Sequence, residues 1–175
     1  MTSGREASSE RSAAGLAGVR VIILEDLRLV AEFFTLLCRS LGLEVVAACS
    51  SVQEGLARIR TEEPALVLMD FSLSDGSGLE AAKTLLEEMP ELRIIGISSH
   101  RDPWTMLQVQ RMGLHGFVDK HEQRTEVLTE AIRAVMAGRI FYTPVVNEAT
   151  ASLRRDPNAF IRVLSDYELR ILSLI

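Results

Sequence analysis

The segment Ala65-Leu-Val-Leu-Met-Asp70 decides what fold this chain is expected to adopt. It follows Pro64 and consists of five successive apolar residues that end at a carboxylate. Unbroken apolar runs of this kind are typical of strands buried on both faces, as in parallel sheets covered by helices. In such sheets, ligands bind beyond the carboxyl ends of the strands. We therefore expect Asp70 at the edge of the sheet where chemistry takes place.

Further apolar runs predict more strands of the same sheet, and helical patterns separate them. The five predicted strands are residues 19–24, 43–48, 65–70, 93–98 and 116–119. Between them, Ser51 with Glu54 and Ser77 with Glu80 have the spacing of capping boxes that open helices. This alternation predicts an α/β fold of the flavodoxin-like type. Its core would be a doubly wound five-stranded parallel sheet, strand order 2-1-3-4-5, with helices on both faces.

The two ends of the chain depart from this alternation. Residues 1–18 are rich in Ser, Ala and Gly and are predicted to form a disordered tail before the domain at 19–138. Residues 139–160 are interpreted as a linker with room for a short helix. Within residues 161–175, the stretch Leu164–Ile175 begins another helix, whose apolar face has no partner in the sequence. Because one helix cannot bury its own apolar stripe, we expect this segment to be the start of a second domain.

Composition excludes several classes of function. The chain has 175 residues and a formal net charge of −5, which argues against a nucleic-acid-binding surface spread over its length. Cys38 and Cys49 lack the spacing of a zinc site or a disulfide framework. No apolar run has the length of a membrane span, and the N-terminus lacks the apolar core of a signal peptide. These features predict a soluble cytoplasmic protein without a membrane partner.

Polar side chains stand at the carboxyl ends of four of the predicted strands. They are Glu25 and Asp26, Asp70, Ser98 and Lys120. In a doubly wound sheet these positions lie at one edge, where three carboxylates repel one another unless a cation neutralises them. A hard cation such as Mg2+ suits oxygen ligands of this kind. A hydroxyl and an ammonium group nearby suit a phosphoryl group, with Asp70 as the nucleophile that forms an acyl phosphate.

Four motifs, each at a strand end, resemble the receiver domain of bacterial two-component response regulators over residues 19–138. They are Ile-Leu-Glu25-Asp26, Leu-Met-Asp70, Ile-Ser98-Ser99-His100 and Gly113-x-x-Gly116-Phe117-Val-x-Lys120. The segment Leu164–Ile175 resembles the opening of the helix-turn-helix domain of the LuxR/FixJ/NarL subfamily. The resemblance implies a transcription regulator switched by phosphorylation, whose recognition helix is expected to lie outside this sequence.

The resemblance also implies a role for each residue of the site. Asp70 is the implied phosphoacceptor, and Lys120 is the implied contact to the phosphoryl group. The implied ligands of Mg2+, the one cofactor, are Glu25, Asp26, Asp70 and the backbone carbonyl of Ser72. A receiver of this kind catalyses its own phosphorylation and dephosphorylation and is not a turnover enzyme.

Switching and partners are implied in the same way. Ser98 is the switch hydroxyl that moves toward the phosphoryl group, and the rotation of Phe117 is coupled to that movement. A histidine kinase or phosphotransfer protein would donate the phosphoryl group, and the phosphorylated protein would form a homodimer. DNA would be bound by the complete C-terminal domain and not by this chain. One departure is Ser74, where many receivers have proline, which puts the rigidity of this loop in question.

Two other classes of function are compatible with an aspartate at a strand end. An aspartyl-phosphate hydrolase of the haloacid dehalogenase type also uses an aspartate at a strand end, but it needs a second carboxylate two residues later, where Ser72 stands. A phosphorylation-independent receiver, acting as a protein-interaction module, usually lacks one of the acidic, acceptor or lysine positions. All of these are present here. Partner binding and gene regulation that survive Asp70→Asn would favour the second alternative.

Overall fold

The computed structural model describes residues 15–122 and 124–155 of the chain. The predicted second-domain segment 161–175 and most of the predicted tail lie outside these residues. Within the described ranges, none of the helices combines the length and the apolar character needed to span a membrane.

Strands and helices alternate along the described residues. The strands are β1 (Arg20–Leu24), β2 (Glu44–Cys49), β3 (Leu66–Asp70), β4 (Ser72–Leu73), β5 (Gly76–Ser77), β6 (Arg93–Ser98), β7 (Gly116–Asp119) and β8 (Phe141–Tyr142). The helices are α1 (Arg28–Ser40), α2 (Val52–Glu62), α3 (Gly78–Glu88), α4 (Pro103–Arg111), α5 (Thr125–Met136) and α6 (Pro144–Arg155). The five predicted strands are confirmed, each to within one residue at either end.

The main sheet is parallel and doubly wound, as predicted, but it has six strands where five were expected. Its order is β2-β1-β3-β6-β7-β8, so the predicted order of the first five strands is correct. The additional strand, β8, pairs in parallel with β7 through Gly116 opposite Phe141 and Phe117 opposite Tyr142. Two residues are too few to leave an apolar pattern in the sequence. The strand forms because the open edge at β7 offers backbone acceptors. The amide of Phe141 donates a hydrogen bond to the carbonyl of His115, just before β7, and the amide of Thr143 donates one to Phe117.

Both faces of the sheet are covered, which explains the unbroken apolar run of β3. All five residues of β3 are buried, and its four apolar residues alternate between two hydrophobic clusters. The cluster beside α1 and α5 includes Leu66, Leu68, Phe34 and Ile132. The cluster beside α2, α3 and α4 includes Val67, Met69, Ile59, Leu85 and Met106. The interpretation of residues 65–70 as a strand buried on both faces is confirmed.

The predicted helix starts are confirmed by their caps. The Ser51 hydroxyl accepts a hydrogen bond from the Glu54 amide at 3.2 Å, and the Ser77 hydroxyl accepts one from the Glu80 amide at 3.3 Å. The reciprocal half of the first capping box is displaced by one residue, because the Glu54 carboxylate accepts from the amide of Ser50. These caps fix where α2 and α3 begin, and α3 starts directly beyond the loop that follows Asp70.

The loop after β3 is held in place without the proline that many receivers have at position 74. Residues 72–77 form a two-stranded antiparallel hairpin of β4 and β5. At its turn, the Asp75 carboxylate accepts hydrogen bonds from the amides of Val52 and Gln53, at 2.7 and 3.1 Å. These two amides belong to the first turn of α2, so Asp75 ties the hairpin to a helix N-terminus.

The described part of the predicted linker contributes to the core. Helix α6 packs against α4, and the side chain of Val146 is fully buried in the same cluster as Val109 and Phe117. The Tyr142 hydroxyl donates a hydrogen bond to the carbonyl of Leu114 at 2.7 Å. Strand β8 therefore extends the sheet beside β7, and α6 covers one face of it. This helix, which was expected to be short, has twelve residues.

Candidate functional site

The order of the sheet brings the three predicted carboxylates together. Strands β1 and β3 are neighbours, with Leu24 opposite Met69, so the residues that follow both strands meet at one edge. Glu25 and Asp70 are almost fully buried there, at 2% and 3% exposure, and Asp26 is half-buried. Carboxylate oxygens of these three residues all lie within 4.8 Å of one another.

Lys120 reaches this cluster from the end of β7. Its Nζ atom lies 2.9 Å from Glu25 Oε2 and 2.8 Å from Asp70 Oδ2, so one ammonium group bridges the two buried carboxylates. The second oxygen of each carboxylate is held by a backbone amide. Leu27 donates to Glu25 Oε1 at 3.2 Å, and Ser72 donates to Asp70 Oδ1 at 3.0 Å. Each carboxylate is thus held by an ion pair with Lys120 and by a hydrogen bond from a backbone amide.

The protonation of the cluster reflects a balance between burial and the lysine. Burial raises the pKa of Glu25, and the hydrogen bond and charge of Lys120 only partly oppose this effect. Burial also acts to lower the pKa of Lys120, but the hydrogen bonds to Asp70 and Glu25 outweigh it and leave the pKa raised. Lys120 therefore carries its charge at neutral pH.

The donor set fits a hard divalent cation. Three carboxylates face a single ammonium group, which leaves the cluster with excess negative charge when all three are ionised. Oxygen ligands and uncompensated carboxylates are what Mg2+ prefers in proteins. The predicted role of the Ser72 carbonyl stays a prediction, since the contact found for Ser72 is the one from its amide to Asp70.

Ser98 lies at the same edge, but its hydroxyl is engaged within its own loop. The residue is fully buried at the end of β6, and Ser98 Oγ accepts a hydrogen bond from the amide of His100 at 3.1 Å. Its carbonyl accepts one from the amide of Lys120 at 2.9 Å. The second bond holds the ends of β6 and β7 together and sets where the Lys120 side chain starts.

Phe117 lies inside the core. Its side chain is fully buried, and its ring centroid is 5.8 Å from that of Phe71, with the rings tilted by 46°. Phe71 follows Asp70 directly and packs over Gly96, where a Cβ atom would approach its ring to 2.3 Å. The predicted switch aromatic therefore contacts the residue next to the predicted phosphoacceptor.

The structure adds a group that the sequence interpretation missed. Asp119 is buried at the end of β7, where Arg101 Nη2 lies 2.6 Å from its Oδ2 and His121 Nδ1 lies 2.8 Å from its Oδ1. The amide of His121 also donates to Oδ1, at 2.9 Å. The available signal was a carboxylate at the last position of a predicted buried strand, directly before Lys120.

Comparison with known proteins identifies the family. Residues 21–133 match the family model of the response regulator receiver domain. This chain belongs to that family. The resemblance stated from the motifs is confirmed, and it favours a receiver over a dehalogenase-type hydrolase.

Individual relatives of this receiver agree with the LuxR/NarL type. DevR/DosR of Mycobacterium tuberculosis, a DNA-binding transcriptional activator, is 31% identical over 167 residues, which cover 90% of this chain and 74% of that protein. The response regulator GacA of Pseudomonas viridiflava is 30% identical over 162 residues, covering 90% of this chain and 75% of GacA. A LuxR-family two-component response regulator from Aurantimonas sp. superposes with a TM-score of 0.71 and 27% identity, over 80% of this chain and 100% of that one.

Proposed function

We propose that this receiver accepts a phosphoryl group on Asp70 from a histidine kinase or phosphotransfer protein, in a Mg2+-dependent step. The phosphorylated state would then switch a DNA-binding output domain that regulates transcription. The observation that supports this most directly is the contact of 2.8 Å between Lys120 Nζ and Asp70 Oδ2, beside two further carboxylates. An aspartate needs neighbouring positive charge to react with a phosphoryl group, because both reactants are anionic.

In the proposed step, a carboxylate oxygen of Asp70 forms a bond to phosphorus. The bond between phosphorus and the donor nitrogen breaks, and that nitrogen keeps the electron pair. The amide of Ser72 and the ammonium group of Lys120 hold the carboxylate in one orientation before attack. Lys120 then neutralises charge on the phosphoryl oxygens.

The acidic residues beside Asp70 have a separate task in this proposal. Glu25, Asp26, Asp70 and the carbonyl of Ser72 would hold Mg2+. When bound, the ion supplies positive charge that offsets both the carboxylates and the phosphoryl oxygens. Burial of Glu25 raises its pKa, so the free cluster resists full ionisation. A cation in the cluster would favour the ionised form of Glu25.

The conformational response would begin at Ser98. Its hydroxyl would give up the hydrogen bond that it accepts from the amide of His100 and would donate one to the phosphoryl group on Asp70. This change would move the loop after β6. Phe117 packs against Phe71, the residue after Asp70, and pairs with Gly96 of β6, and we infer that its ring adjusts when the end of β6 moves. A new local charge thereby biases an element that has two arrangements, as in other phosphorylation switches.

The output is proposed by analogy with relatives. Since DevR/DosR is a DNA-binding transcriptional activator, we infer that DNA is bound by a complete C-terminal domain. Membership of the response regulator receiver family further supports the proposal that phosphorylation promotes a homodimer. The proposed boundaries are 19–138 for the receiver, 139–160 for the linker and 161–175 for the start of the DNA-binding domain. Action on DNA in a bacterium would place the protein in the cytoplasm.

Intact mass after incubation with acetyl phosphate tests the proposal. The wild type should gain one phosphoryl group with Mg2+ and none with a chelator, and Asp70→Asn should gain none. Glu91→Gln, which removes an exposed carboxylate at the opposite edge of the sheet, should behave like the wild type. Absence of any gain, combined with output that survives Asp70→Asn, would instead support a phosphorylation-independent interaction module.

A further inference from the structure

Asp119 is a buried carboxylate that the proposed phosphoryl chemistry does not use. It has 2% exposure at the last position of β7 and pairs in register with Ser98, the last residue of β6. Successive residues of a strand alternate between faces, so the side chain of Asp119 lies on the same face as that of Phe117. A charge buried in this way is tolerated only when partners satisfy it.

Three segments meet at Asp119. Arg101, from the loop between β6 and α4, lies 2.6 Å from one carboxylate oxygen, and His121, from the loop after β7, binds the other. The amide of Asp119 donates to the hydroxyl of Thr143, at the junction of β8 and α6, at 3.1 Å. Burial acts to raise the pKa of Asp119, but the hydrogen bonds from His121 and Arg101 outweigh it and leave the pKa lowered. Asp119 is therefore ionised and can attract Arg101.

The loop between β6 and α4 is tied at three points. At its start, Ser98 Oγ accepts from the amide of His100, and at its end, Asp102 caps α4 by accepting from the amide of Thr105. Between these points, the Arg101 side chain reaches back to Asp119 on β7. Only residues 99–102 separate β6 from α4, so a shift of the Ser98 backbone toward Asp70 carries this short loop with it.

We propose that the ion pair of Arg101 and Asp119 is a latch that holds this loop, and the Ser98 hydroxyl with it, in the unphosphorylated arrangement. Asp119 is then a positioning residue that sets how readily the receiver switches. This inference rests on the proposed phosphorylation of Asp70. Movement of Ser98 toward Asp70 would stretch the pair and leave a buried carboxylate with His121 alone. The latch therefore opposes the switch, and its removal should favour the switched state.

This direction can be measured because a ligand binds more tightly when its preferred state is more populated. Beryllofluoride with Mg2+ is a suitable probe, since it mimics a phosphoryl group on aspartate. Trp104 is the one tryptophan of the chain and is the second residue of α4, three residues beyond Arg101. Its fluorescence reports on the loop while beryllofluoride is titrated.

Asp119→Asn and Arg101→Gln should each tighten beryllofluoride binding, by about fivefold if the coupling has the usual size. The double variant should bind beryllofluoride no more tightly than either single variant does, because both substitutions break the same ion pair. Arg101→Lys keeps the charge and should stay closer to the wild type than Arg101→Gln does. Tighter binding is a result that a mere loss of folding stability does not produce.

The outcomes separate this inference from the function on which it rests. Arg60→Gln, which breaks the distant pair with Glu88, should bind beryllofluoride as the wild type does. If the wild type responds and Asp70→Asn does not, but the Arg101 and Asp119 variants bind as the wild type or more weakly, the latch is wrong. If the wild type shows no response, the proposed function fails and the latch fails with it.

Discussion

The ammonium group of Lys120 lies 2.8 Å from Asp70 Oδ2, although the two residues are 50 positions apart in the sequence. The same nitrogen lies 2.9 Å from Glu25 Oε2, so one lysine serves two buried carboxylates from different strands. The parallel sheet makes this contact possible, because the carboxyl ends of β1, β3 and β7 open at one edge. The contact contributes to folding and, in the proposed function, to phosphoryl transfer.

Lys120→Gln should destabilise the fold as well as impair phosphorylation. It leaves Glu25 and Asp70 buried without their counter-charge, and removal of one partner of a buried ion pair costs about 3–5 kcal/mol. Because the Lys120 side chain retains 24% exposure, we expect about 3 kcal/mol, the lower end. Urea unfolding at pH 7 measures this loss, with Lys83→Gln on the exposed surface of α3 as the control. A loss below roughly 1 kcal/mol, the size of a surface pair, would contradict a buried bridge.

Asp26→Asn should have opposite effects on the free protein and on the metal-bound protein. It removes one of three carboxylates that lie close together, so the free protein should gain up to about 1 kcal/mol from reduced repulsion. Mg2+ should raise the melting temperature of the wild type but raise that of the variant much less. Thermal unfolding with and without Mg2+ measures both effects. Equal responses of the two proteins to Mg2+ would exclude Asp26 as a ligand.

The contribution of Asp75 to stability should depend on pH. Hydrogen bonds from the amides of Val52 and then Gln53 hold its pKa below the ordinary value of 3.8. A carboxyl with a lowered folded-state pKa stabilises the fold above its unfolded pKa and loses that effect as pH falls through the folded pKa. The wild type should therefore be more stable than Asp75→Asn at pH 7. This difference in stability should become smaller as the pH falls below the ordinary carboxyl pKa. Urea midpoints between neutral and acid pH test this. A difference that does not change with pH would show that charge has no part in the cap.

Gly78→Ala should disturb the site through the backbone. A Cβ atom at this position would approach the carbonyl oxygen of Asp70 to 2.0 Å, so the start of α3 and the end of β3 must separate. We expect a destabilisation of about 3 kcal/mol, at the upper end for overpacking, and slower phosphorylation by acetyl phosphate. Gly15→Ala is the control, because an added Cβ there meets no atom within 4 Å. If Gly78→Ala were as stable as the wild type, the backbone at Asp70 could move away from the added Cβ atom without strain.

Local patterns in the sequence predicted most of the fold and the acidic cluster. The apolar run at 65–70 marks a strand buried on both faces, and the polar residues at the ends of four strands mark one edge of the sheet. Glu25, Asp26, Asp70 and Lys120 were expected to meet on that basis. The structure places the three carboxylates within 4.8 Å of one another and Lys120 in contact with Glu25 and Asp70. Such features depend on a few neighbouring residues, so they can be read from the chain itself.

Features that depend on distant polar partners were not predictable. Strand β8 has only two residues and exists because β7 has an open edge. Asp75 caps a helix that begins 23 residues earlier, and no spacing within either segment indicates this contact. Asp119 was the end of a predicted strand, and its pairing with Arg101 depends on how two loops meet at the sheet edge. The structure at these three places depends on tertiary contacts between segments that are distant in the sequence.

Locating the phosphoryl group on the chain shows directly whether Asp70 is the phosphoacceptor. After incubation with acetyl phosphate and Mg2+, borohydride reduction converts a phosphorylated aspartate to homoserine, and peptide mass mapping finds its position. We expect homoserine at position 70, dependent on Mg2+ and absent from Asp70→Asn. Modification of another carboxylate, such as Glu25 or Asp26, or none at all, would contradict Asp70 as the phosphoacceptor.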